Sequence, residues 1–314
     1  MKRWIVLTLA AALAFLTGCT GEPEQTDRVR VALLPILDAL PIHVAQSEGY
    51  FEEQGVQVEI IPVASAPERD QLIQSGQADA MINELVSVIF YNQQSREVVA
   101  VRFARTATAD APVFRIVASR ASGIQSVEDL VGVPIGISEG TVIEYTTDRL
   151  LEEAGLTPDQ IEKLAVPKIP DRLNLLSSGQ LAAANLPDPA ASVAMLQGGQ
   201  LIIDDSSFPE VGHSVITFDA DFVGQNPDTV RAFLVAVEQA VAAINSDKDR
   251  WDDLLLEENL LPPPLMGTYI LPDYPTASVP TSAQFEDALQ WALDKNLVTE
   301  QISYDGSVSS DYLP

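Results

Sequence analysis

Along residues 28–34 apolar side chains fall at alternate positions, Val29, Val31 and Leu33 between Arg28, Arg30 and Ala32, which predicts a strand with one face buried. The same reading predicts strands at 56–63, 78–82 and 98–103, separated by helices over 41–53, 67–75 and 85–93. Proline opens the first two of these helices, and Gly55 and Gly76 stand just past their ends, the expected asymmetry of helix limits. A second series follows, with strands at 113–119, 134–137, 161–166, 181–186 and 201–204 and helices over 141–153, 171–178 and 189–197. Ser126 to Asp129 predicts a capped turn before Gly132. Residues 214–218 read as one more strand, and Asn226-Pro227-Asp228 opens a long amphipathic helix over 227–245. The proline-dense stretch 260–280 predicts an irregular arm, and 281–294 a final helix. Strands alternating with helices at short spacing predict parallel α/β sheets.

The two series echo one another. Leu-Ile-Gln-Ser-Gly-Gln-Ala-Asp-Ala at 72–80 returns as Leu-Leu-Ser-Ser-Gly-Gln-Leu-Ala-Ala at 175–183, a shift of 103, and Arg69 finds Arg172 at the same shift. Glu52-Glu53-Gln54-Gly55 answers to Glu152-Glu153-Ala154-Gly155. Repeats in the same order predict two α/β lobes with a cleft between them: 28–112 plus 213–314 as the first lobe, 113–212 as the second. The chain crosses near Pro112 and returns near Gly212, and two crossings make a hinge. Ligands of open parallel sheets sit outside the carboxyl ends of the strands, where loops feed helix N-termini with unpaired N–H donors. Four loops qualify: 35–40, 83–87, 138–141 and 187–192.

Composition adds constraints. Lys2 and Arg3, an apolar run and Leu16-Thr17-Gly18-Cys19 make 1–18 an expected signal peptide, with an ordinary secretory signal as the plainer reading. The tetrad resembles the lipobox of bacterial lipoproteins, which implies cleavage before Cys19, its acylation, and a membrane anchor with 19–27 as tether. Cys19 is the only cysteine, so disulfides and thiol chemistry are not expected in the mature body. The apolar run 232–244 is broken by Glu238 and Gln239, too short a stretch to span a membrane. Without the leader, 16 basic face 45 acidic residues, a field that repels nucleic acid. The remaining ~290 residues suffice for two domains, and a monomer is expected.

Each candidate loop carries a carboxylate: Asp38, Glu84, Glu139 and Asp188. They read either as contacts to an amine, an amidine-like heterocycle or a polyol donor, or as acids favoured at helix N-termini. Asn83 joins them, and Ser138, Gly140 and Thr141 read either as an anion cradle or as a helix cap. Tyr145 is a candidate for ring stacking or for the core. Arg69, Arg172, Arg102 and Arg105 reach either an anion in the cleft or surface ion pairs; His213 reads as structural. The two histidines, 170 residues apart, form no metal cluster or nucleophile–base pair, and no nucleophile elbow, phosphate loop or dinucleotide fingerprint is present. No catalytic group, metal or cofactor is expected.

Pro41-Ile42-His43-Val44-Ala45-Gln46-Ser47-Glu48-Gly49-Tyr50-Phe51, Ser-Gly-Gln-Ala-Asp-Ala at 75–80, and Gly136-Ile137-Ser138-Glu139-Gly140-Thr141 together resemble one large family. It comprises the extracytoplasmic substrate-binding proteins of ABC importers for sulfonates, taurine, nitrate and thiamine-precursor pyrimidines. The resemblance covers essentially the whole mature chain and implies the type II periplasmic-binding fold, an ABC permease as partner, and a small organic ligand captured without reaction. It puts His43 in a slot where relatives place an aromatic, either at the cleft edge or half-buried in its helix. A nitrogen heterocycle such as a thiamine-type vitamin precursor is the favoured ligand, with aliphatic sulfonate, taurine or nitrate as the alternative. A ligand-sensing lipoprotein and a menaquinone-pathway-type lyase on the same fold are the rival classes. The resemblance also extends to an enzyme branch marked by a cysteine-rich motif, which the mature chain lacks.

Overall fold

The computed structural model describes residues 27–314; the expected signal peptide, Cys19 and all of the tether but Asp27 lie outside the described residues. Among the described residues, ten strands form two five-stranded sheets. The first contains β1 (Arg28–Leu33), β2 (Gln57–Pro62), β3 (Ala80–Asn83), β4 (Val98–Thr106) and, from much later in the chain, β10 (His213–Asp219). The second contains β5 (Phe114–Ala118), β6 (Ile135–Ile137), β7 (Lys163–Ala165), β8 (Ala183–Pro187) and β9 (Gln200–Asp204). Their orders are β2-β1-β3-β10-β4 and β7-β6-β8-β5-β9.

The sheets are mixed rather than parallel throughout. β10 runs antiparallel to β3 and β4, and β5 antiparallel to β8 and β9. Each reversed strand is the first after a crossing, so it enters its sheet from the opposite lobe and therefore from the opposite end. Two passages join the lobes, β4 to β5 and β9 to β10.

Around the first sheet lie α1 (Leu40–Ser47), α2 (Tyr50–Glu53), α3 (Ala66–Gln74) and α4 (Leu85–Tyr91). The second carries α5 (Val142–Glu153), α6 (Ile169–Ser177) and α7 (Ala190–Leu196). The return to the first lobe adds α8 (Ala220–Gln225), α9 (Pro227–Ser246), α10 (Asp252–Glu257), α11 (Ser282–Asp294) and the short α12 (Tyr304–Ser307). The expected helix over 41–53 is divided where Gly49 takes φ +78°, a conformation that costs glycine least. Ser65 caps α3 by accepting from Glu68 N, and Glu68 returns the favour to the Ala64 N–H. α9 lays Val230, Phe233, Leu234, Val237, Val241 and Ile244 on the largest core, with Phe233 stacked on Phe51 at 4.9 Å. No helix among the described residues is long and apolar enough to cross a membrane.

Candidate functional site

Both sheets present the same kind of rim to one cavity. The parallel strands bring their carboxyl ends to it, contributing Leu34, Asn83, Ser138 and Pro187 at or just beyond their last residues; the reversed strands bring their starts, His213, Ser214, Val113 and Phe114. The cavity volume is about 70 Å³, which confines an occupant to a small molecule. Its walls are largely apolar, with Ile36, Ile82, Ile143, Pro167 and Ile169 joining Val113 and Phe114.

Five of the sequence candidates, Asp38, Asn83, Glu84, Ser138 and Thr141, come together here. Asp38 accepts from Ser214 Oγ at 2.6 Å and stands 3.6 Å from Arg105 Nη1. Asn83 accepts from Thr217 Oγ1 at 2.5 Å and donates to Ser87 Oγ at 3.3 Å. Thr141 donates to Ser138 O and accepts from Ile143 N, so its hydroxyl is engaged as the cap of α5. Glu84 is the exception. Its Oε2 accepts from Arg69 Nη1 at 3.2 Å, while Oε1 is buried without a hydrogen-bond partner. Burial pushes the Glu84 carboxyl up in pKa, and Arg69 opposes this most.

The other five candidates lie elsewhere, each for a visible reason. His43 is buried on α1 with Nδ1 3.2 Å from Glu258 Oε2, and burial lowers its pKa. Glu139 is exposed, and Gly140, at φ +65°, donates its N–H to Glu144. Tyr145 donates to Asp287 Oδ2 at 2.5 Å and packs edge-on against Trp291, across the lobe boundary. Asp188 accepts from Arg115, Ser192 and Tyr269, which use up its carboxylate away from the cavity.

Two arginines line the cavity as well: Arg69 pairs with Glu84 and the partly exposed Asp70, whereas Arg172 makes no ion pair among the described residues. Arg69 bonds Ile82 O, Glu84 and Ser87 from a buried position. Arg172, fully buried, donates to Asn185 O, Val166 O and Pro167 O, and its Nη2 has no partner. Arg102 pairs with Glu238, and Arg105 lies behind Asp38, donating to Pro112 O at the first crossing. His213 also lines the cavity, its ring edge-on to Phe103. The shared spacing of Arg69 and Arg172 was the one sequence signal for these arginines.

Two α/β lobes joined by two passages over a small-molecule-sized cavity define a periplasmic-binding-protein fold. The chain belongs to the NMT1/THI5 like family, which it matches over residues 37–250. The formylaminopyrimidine-binding protein of Halalkalibacterium halodurans is 25% identical over 172 residues, 53% of this chain and only about half (51%) of that protein's length. A 4-amino-5-hydroxymethyl-2-methylpyrimidine phosphate synthase of Saccharomyces cerevisiae is 24% identical over 241 residues, 71% of this chain and 68% of the enzyme. Among solved structures, the periplasmic aliphatic sulphonate binding protein SsuA from Escherichia coli superposes with a TM-score of 0.74 at 19% identity, covering 88% of this chain and 96% of that one. The chain thus shares its fold with a periplasmic binding protein, and its sequence relatives include both a binder and a synthase.

Proposed function

We propose that this protein captures a small nitrogen heterocycle of the aminopyrimidine kind outside the cytoplasm and delivers it to an ABC import permease. The observation that carries this reading is Glu84 Oε1, a buried acceptor without a partner, set in a largely apolar cavity. A flat ring fills apolar space, and its exocyclic amine satisfies a carboxyl that burial otherwise penalises. The likeness to the formylaminopyrimidine-binding protein of Halalkalibacterium halodurans supports the same ligand class. Micromolar capture needs about −8 kcal/mol, within reach of one ring and a few hydrogen bonds. A ligand touching both rims binds the closed arrangement better than an open one, shifting the hinge equilibrium toward the form a permease receives.

The body is held at the membrane through an acylated Cys19, and the ligand leaves unchanged, since the only cysteine is the one assigned to the anchor. A second reading, an aliphatic sulfonate, taurine or nitrate as ligand, is favoured by the unpartnered Arg172 Nη2. Thermal unfolding with each compound separates them. A 4-amino-2-methylpyrimidine at about a hundredfold its Kd stabilises by about 2.7 kcal/mol. Stabilisation by taurine or alkanesulfonates with none by pyrimidines would overturn the ligand assignment, and a mass change in the recovered pyrimidine would overturn the passive role.

A further inference from the structure

The two lobes solve the same local problem differently. Arg69 in α3 and Arg172 in α6 occupy equivalent turns, and each donates to the backbone carbonyl of the residue thirteen positions on, Ile82 and Asn185. In the first lobe the guanidinium is then neutralised within the protein, by Glu84 at 3.2 Å and Asp70 at 2.8 Å. In the second lobe Leu173 stands where Asp70 does. The acid of the loop after β8, Asp188, is turned to Arg115, Ser192 and Tyr269 instead. Arg172 is left with three neutral carbonyls and no carboxylate, and burial alone, unopposed, lowers its pKa to about 10. Arg69, equally buried, is pushed up by its acids.

The other buried charges at the cavity are matched: Asp38 by Arg105, Glu84 by Arg69. Arg172 is the surplus. Burying a lone cation is costly, whereas a carboxylate or sulfonate facing it forms a charge-assisted bond in a low-dielectric setting. We propose that Arg172 is the specificity-determining residue of this site and that the ligand presents an anionic oxygen group to it. This deepens the function proposed above and rests on it: the ring side of the ligand meets Glu84 on the first lobe, and the anionic side meets Nη2 on the second. Heterocyclic carboxylates and aliphatic sulfonates share that chemistry, so the experiment has an arm for each.

Calorimetric titration of the full-length protein in detergent, with three probes, tests it: 4-aminopyrimidine-5-carboxylate, the corresponding carboxamide, and ethanesulfonate. The wild type should bind the carboxylate at least tenfold tighter than the carboxamide. Arg172→Gln should abolish that preference, weakening carboxylate binding at least tenfold more than carboxamide binding, and Arg172→Lys, which keeps the charge, should restore part of it. Melting curves of each variant confirm that it is folded. A carboxamide bound as tightly as the carboxylate by the wild type, or a preference that survives in Arg172→Gln, overturns the inference and leaves the heterocycle reading intact. Ethanesulfonate bound in an Arg172-dependent manner with neither pyrimidine bound supports Arg172 and overturns the heterocycle. No binding of any probe overturns both.

Discussion

At the passages between lobes two buried titratable residues are set against each other. Asp205 accepts from the Val113 N–H at 2.8 Å and the Phe114 N–H at 3.0 Å, tying the end of one passage to the start of the other. Burial raises its carboxyl to about 7. His213 lies against Glu210 O at 3.1 Å, so Nδ1 carries the proton and donates, and burial lowers its pKa to about 4. The signs follow from proton counts. For Asp205, with an unfolded pKa of about 4, the native state holds the extra proton between pH 4 and 7, so its contribution to stability falls as pH rises through that window. For His213, with an unfolded pKa of about 6.5, the unfolded state holds it between pH 4 and 6.5, so its contribution rises with pH. The two slopes oppose and flatten the wild-type profile. Urea unfolding from pH 4 to 7.5 should show His213→Gln losing stability with rising pH and Asp205→Asn gaining it; parallel profiles for the two variants would refute the pairing. At this scale the sequence was readable only in part. Asp38 and Glu84 could be placed on a rim because loops after strands point there, but Asp188 and Tyr145 could not, because their destinations are set by partners 81 and 142 residues away.

Among elements, helix starts were legible because their signals are local: Pro41, Pro67 and Pro227 stand in first turns, and Thr141 accepts from Ile143 N. Strand direction was not. The apolar runs at 113–119 and 214–218 look alike whichever way they enter a sheet, and only the crossings decide that β5 and β10 are reversed. The short helices α8 and α12 escaped notice because four to six residues carry too little periodicity. The return passage makes its own prediction. A Cβ at Gly212 would stand 1.8 Å from Asp205 Oδ2 and 2.8 Å from the Ala107 Cβ, while Gly212 O accepts from Ala107 N at 2.6 Å and fixes the backbone. Gly212→Ala must therefore drive the carboxylate off the Phe114 N–H. Overpacking of this kind costs about 1–3 kcal/mol, which chemical denaturation would register as a lower midpoint at unchanged slope. A midpoint equal to the wild type's would mean that the passage yields freely.

For the molecule as a whole, the echo between residues 72–80 and 175–183 made two lobes legible, but nothing in it indicated how they touch. They touch on one side through α5, which meets α4 and, through Tyr145 and Asp148, α11 of the first lobe, and on another through Asp188 and Tyr269. Asp148 on α5 is buried and accepts from Lys163 of its own lobe, and from Trp291 Nε1 at 2.9 Å and Lys295 Nζ at 2.7 Å across the boundary. One turn away, Asp287 takes both Tyr145 Oη and Arg149. Were the lobes to part, Asp148 would keep Lys163, so opening does not orphan a buried carboxylate; this is what makes the contact reversible rather than a permanent weld. Because Lys295 and Asp287 are partly exposed, each pair contributes about 0.2–1 kcal/mol. Removing both in Lys295→Ala/Asp287→Ala should raise the ratio of open to closed molecules severalfold without unfolding either lobe. Small-angle scattering of the ligand-free double variant should then give a larger radius of gyration than the wild type. Emission from Trp291, 2% exposed here, should shift to the red as its indole N–H loses Asp148. Scattering curves and emission maxima that coincide for the two proteins would mean that the lobes are held together by something other than this contact, with Asp188–Tyr269 the next place to look.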